Sequence, residues 1–97
     1  MISIMPVKVD DKACVGVRVE LPDSPPLIMI VAEKGFVMCG FLNVEAAERL
    51  AVTAAVVSGV KTFDDVLNGQ VKAVTSKARS LGIDVGIKGA DALKRLF

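Results

Sequence analysis

The chain has 97 residues, 53% of them hydrophobic, a formal net charge of +1 and two cysteines. That length supplies one hydrophobic core, so a single domain over residues 1–97 is expected, and the apolar content lies well outside the disordered range. The near-neutral charge excludes a strong global attraction to nucleic acid or to an acidic membrane surface, and the longest apolar run, residues 27–32, is far too short to span a bilayer.

The opening Met1-Ile2-Ser3-Ile4-Met5-Pro6 has no basic segment or long apolar stretch of the kind that directs secretion. A cytoplasmic protein with free thiols is therefore expected. The chain contains no His, Trp or Tyr. This removes Ser-His and Cys-His dyads, histidine zinc motifs and most base-stacking platforms. Cys14 and Cys39 are too few for a closed zinc site or an iron–sulfur cluster, so neither a metal nor a cofactor is expected.

Strands come first. Met5, Val7 and Val9 alternate with Lys8 and Asp10, and Val15, Val17, Val19 and Leu21 alternate with Gly16, Arg18 and Glu20. Both are the period-two pattern of a half-buried strand, joined by a short turn at Asp10-Asp11-Lys12. Pro6 has no N–H to donate and predicts an edge position or a bulge. Cys14 falls on the face that carries Arg18 and Glu20 and is expected to be partly exposed. Residues 27–32 are apolar on both faces and predict a central strand covered on two sides. Lys34-Gly35 turns the chain into a fourth strand over residues 36–40, and a largely antiparallel sheet is expected.

Helices dominate the remainder. Asn43 is a favoured N-cap for a helix over residues 44–55, with Val44, Ala47, Leu50, Ala51 and Ala54 on one face. Residues 56–60 read equally as its end or as a short strand. Thr62-Phe63-Asp64-Asp65 opens a second helix, broken at Asn68-Gly69. Val71, Val74, Ala78 and Leu81 at helical spacing predict a third, closed by Gly82. Ile83, Val85 and Ile87 alternate as a short fifth strand, and residues 90–96 predict a last helix. The expected class is α+β: a four-stranded, mostly antiparallel sheet followed by about four helices and the short fifth strand.

Met38-Cys39-Gly40, Gly59-Val60-Lys61-Thr62, Leu67, Val74-Thr75, Leu81-Gly82-Ile83 and Gly86-Ile87-Lys88-Gly89 with Ala92-Leu93 resemble the YunC-like family, small bacterial and archaeal proteins that form a domain of unknown function. The resemblance covers residues 36–97. The family often has Met where this chain has Ile87 and Asp where it has Asn43. The resemblance implies an α+β fold and a cytosolic protein, and carries no activity or catalytic residue with it.

Two places offer chemistry. Cys39 and Gly40 end a strand just ahead of the helix capped by Asn43, where partial positive charge favours a thiolate or an anion. Cys39 is the candidate nucleophile or redox thiol, and Gly40 and Asn43 are candidate ligand contacts. Against this, a Cys on an apolar strand is ordinarily a small buried hydrophobe, and no base is evident in the sequence. Gly86, Lys88 and Gly89 have the general form of an anion or phosphometabolite cradle, without the spacing of a known phosphate loop. Residues 1–69 carry six basic and nine acidic residues, net −3, and residues 70–97 carry six basic and two acidic, net +4. Lys72, Lys77 and Arg79 on one helix are expected to lack an acidic partner there. With only 24% charged residues, the chain has more apolar surface than one sheet face and four short helices cover. The sequence thus points to a homo-oligomeric binding or regulatory module without catalysis of its own, a homodimer or homotrimer; the alternatives are a small enzyme or redox protein using Cys39, or a module that binds a small anionic ligand at residues 86–89.

Overall fold

The computed structural model describes residues 1–97. In chain order the elements are β1 (Ile2–Val9), β2 (Lys12–Val19), β3 (Leu27–Val31), β4 (Phe36–Met38), α1 (Val44–Arg49), β5 (Ala54–Val56), α2 (Phe63–Asn68), β6 (Ala73–Val74), α3 (Ser76–Ser80) and α4 (Gly89–Lys94). The six strands form one mixed sheet in the order β1-β2-β3-β4-β5-β6. Neighbours are antiparallel except β4 and β5, which run parallel because α1 carries the chain from one to the other. Pro6 lies on β1, the outermost strand, where its missing N–H is tolerated. No helix is long and apolar enough to cross a membrane.

The α+β class matches expectation; the count and direction of the strands do not. The helix expected over residues 44–55 stops at Arg49. Ala51 takes a left-handed φ of +57°, its N–H bonds to Glu48 O, and the Val52 N–H reaches back to Ala47 O. This pair of bonds closes a helix, usually around glycine. The released residues of β5 are buried on both faces, Ala54 at 0%, Ala55 at 1% and Val56 at 8% exposure. The helix expected from Val71 also starts later. Ala73 and Val74 pair with β5, and Thr75 caps α3 instead of lying inside it. Gly82 does close that helix, with φ +86° and the bonds Gly82 N–H to Arg79 O and Ile83 N–H to Ala78 O. The fifth strand expected at Ile83, Val85 and Ile87 is absent. Gly86 at φ +99° turns the chain there, and only Lys88 makes an isolated bridge, to Gln70.

The main core lies on one sheet face, where Val7, Cys14, Ile28, Ile30, Val37 and Ala55 meet Val66 of α2 and Ala92 and Leu93 of α4. On the other face, α1 places Ala47 against Met38, Ala54 and Val56. The faces of β2 are the reverse of what its alternation suggests. Cys14, Gly16 and Arg18 share the core side, and Val15, Val17 and Val19 turn outward. Gly16 explains the inversion: a Cβ there would sit 2.7 Å from Val7 and 2.8 Å from the Phe63 ring, so the aromatic side chain fills the glycine's place. Cys14 is accordingly buried, not partly exposed, and burial pushes its thiol pKa up. The strand β3, expected to be covered on both sides, is sealed at Ile28 and Ile30 but only half-buried at Leu27, Met29 and Val31.

Candidate functional site

The parallel pair β4–β5 sets the geometry. The last bond of its ladder runs from the Val57 N–H to Met38 O at 2.9 Å. Beyond it the two chains part, and the crevice outside the carboxyl ends of parallel strands is where α/β sheets place ligands. Here a cleft of about 250 Å³ opens between them. Cys39, Gly40 and Phe41 line it from the end of β4, Gly59, Val60 and Lys61 from the end of β5, and Pro25 and Pro26 close it ahead of β3.

Each wall is held in place. Gly59 has φ +75°, which lets the chain turn sharply after β5. Lys61 is fixed through its backbone: its N–H donates to Asp65 Oδ2 at 3.0 Å, and its carbonyl accepts from Arg18 Nε at 3.2 Å. Asp65 also accepts from the Thr62 N–H, and Thr62 Oγ1 accepts from the Asp65 N–H, so the N-cap expected at the start of α2 is a reciprocal one. The Lys61 ammonium forms no ion pair. The backbone N–H groups of Gly40, Phe41, Gly59 and Val60 bond to nothing else in the chain. The cleft therefore combines an apolar wall with one free cation and several unengaged donors.

The residues singled out in the sequence divide between two places. Cys39 and Gly40 are in the cleft. Cys39 is only 3% exposed, and its sulfur makes one hydrogen bond, accepting from the Ile28 N–H at 3.4 Å. No carboxylate or amine is bonded to it. Asn43 caps α1 as anticipated, accepting from the Glu45 N–H at 2.8 Å and the Ala46 N–H at 3.3 Å, and does not line the cleft. Gly86, Lys88 and Gly89 lie elsewhere, against α2 and its following turn. The Gly86 N–H is bonded to Val71 O and the Gly89 N–H to Gly69 O, both at 2.9 Å. Two of the backbone donors in this segment are thus engaged within the protein, whereas the Lys88 ammonium forms no ion pair. Gly89 is buried, and a Cβ on it would lie 1.9 Å from Val66 O, so close helix–backbone approach accounts for that glycine.

The basic residues near the C-terminus also differ in part from expectation. Lys72 precedes β6 and does not belong to α3; α3 itself carries no acid, as expected, and Arg79 finds its partner beyond the helix, in Asp84 at 3.7 Å. Pro25, Pro26, Phe41, Gly59, Val60 and Lys61 were not among the sequence candidates. The cue lay in Gly59-Val60-Lys61-Thr62, a glycine and a lysine between an apolar run and a helix cap. It becomes a site only once β5 lies parallel to β4.

Comparison with known proteins places the chain. It is 30% identical over 101 residues to the uncharacterized protein YunC of Bacillus subtilis, covering 100% of this chain and 99% of that one. The crystal structure of TA1206 from Thermoplasma acidophilum, a protein of unknown function, is similar with a TM-score of 0.93 and 31% identity, over 100% of this chain and 94% of that one. With residues 38–96 also matching the family model, the chain belongs to the YunC-like family described as Domain of unknown function (DUF1805).

Proposed function

We propose that the protein is a cytosolic binding module without catalysis of its own, and that the cleft between the ends of β4 and β5 takes a small ligand with an anionic group and an apolar body. The observation that carries this reading is the cleft's composition: Pro25, Pro26, Phe41 and Val60 beside the unpaired Lys61 and the unengaged N–H groups of Gly40 and Gly59. A carboxylate or phosphate would meet Lys61 and these donors, and its body would rest on the prolines and Phe41. The enzyme reading through Cys39 has less support, because the only hydrogen bond to its sulfur comes from a backbone amide.

The test is calorimetric titration with a panel of small carboxylates and phosphates, with mass spectrometry of protein purified without dialysis to find what it carries. Binding that weakens roughly tenfold or more in Lys61→Met fits a lost charge-assisted hydrogen bond. Wild-type protein that binds no member of either anion class would end this reading.

A further inference from the structure

On the sheet face turned away from the main core, β1 and β2 have no helix over them, and the cluster beneath α1 reaches only as far as Met29 of β3. Beyond the Lys8–Ala13 pair at the hairpin end, the side chains of this face stand in three cross-strand rows: Ile2, Val19 and Leu27; Ile4, Val17 and Met29; Pro6, Val15 and Val31. None of these nine is charged. With Ile2 65%, Ile4 69% and Val15 48% exposed, the nine leave on the order of 600 Å² accessible, the upper end of what a monomer's largest patch reaches. A standard interface takes roughly 800 Å² from each partner, so these rows and a modest rim reach the size of a stable dimer contact.

We infer that this face docks against the same face of a second copy of the chain, sheet on sheet. The nine uncharged side chains of these rows meet their own copies without like-charge repulsion, with the exposed Lys8 at the border of the patch, as a two-fold interface requires. Pairing through the edge of β1 is hindered by Pro6, which leaves stacking of the faces as the favoured contact. This inference is independent of the cleft and its ligand.

Sedimentation equilibrium at micromolar concentration tests it. Wild-type protein is expected at twice the chain mass. Val17→Lys, in the central row, and Ile4→Lys, at the outer strand, are each expected to raise the dimer dissociation constant roughly a hundredfold or more. Val85→Lys, 53% exposed beyond α3, leaves it unchanged. Circular dichroism verifies that the variants fold. Isotope-filtered NOEs in a mixed labelled and unlabelled wild-type dimer, expected at the Ile4, Val17 and Met29 methyls, carry the test without any variant. A monomeric wild-type protein, folded lysine variants that associate as tightly as wild type, or intermolecular NOEs confined to other residues would each overturn it.

Discussion

Replacing Ala51 by Gly should make the protein more stable. Ala51 is the residue after the last turn of α1 and sits at φ +57°, where the bonds from Ala51 N–H to Glu48 O and Val52 N–H to Ala47 O require a left-handed backbone. For an L-residue with a Cβ that conformation costs about 1–2 kcal/mol. Glycine avoids the cost but loses about 0.5–1 kcal/mol more chain entropy on folding. The difference is a net gain of about 0.5–1 kcal/mol, or a rise in Tm of roughly 2–8 °C for a domain of this size. Thermal unfolding followed by circular dichroism, at matched protein concentration, measures it. Gly82, at φ +86° in the same role after α3, supplies the opposite sign: Gly82→Ala should lower Tm. An Ala51→Gly protein that melts at or below the wild-type temperature would refute this account of how α1 ends.

Thr75→Val should cost about 1–3 kcal/mol by urea titration, because Thr75 Oγ1 accepts from both Ala54 N–H and Ala78 N–H and is only 1% exposed; an unchanged midpoint would contradict that dual role. The hydroxyl and then the N–H of Ser76, with Arg79 nearby, hold the Glu48 carboxyl below its ordinary pKa. Its contribution to stability is therefore full above the ordinary carboxylate pKa and is lost as pH falls through the lowered folded value. Glu48→Gln should melt below wild type at neutral pH, with the gap closing in acid, whereas a gap that does not change with pH would count against the Ser76 contact. Gly89→Ala should destabilise by about 1–3 kcal/mol or more, since its Cβ must displace the Val66 backbone; a wild-type Tm would show that α2 and α4 are not so closely packed.

How far the fold could be read from the residues depended on whether the deciding contact was local. The β1–β2 hairpin, the Asn43 and Thr62 caps and the Gly82 helix end all rest on neighbouring residues, and each stands where its pattern places it. Which face of β2 turns inward was not legible, because Phe63, 47 positions away, takes the space at Gly16. Ala51 and the alanines of β5 read as helix by propensity. Only the left-handed turn at Ala51 and the pairing with β4 make a strand of them. Thr75 looks like a residue inside a helix until its hydroxyl is seen to serve both α3 and Ala54. The site follows the same division. Cys39 and Gly40 were visible as the end of a strand, whereas Lys61 and Pro26 join them only through a parallel pairing and a loop far off in sequence.

The most direct test of the binding assignment is to map where a ligand acts. Amide chemical shifts of ¹⁵N-labelled protein, followed by NMR during titration with the tightest-binding small anion, should move first at Gly40, Phe41, Gly59, Val60 and Lys61, and the same shifts should weaken in Lys61→Met. Saturable shifts centred instead on Gly86, Lys88 and Gly89, or no saturable shifts anywhere, would contradict the assignment of the cleft between β4 and β5 as the binding site.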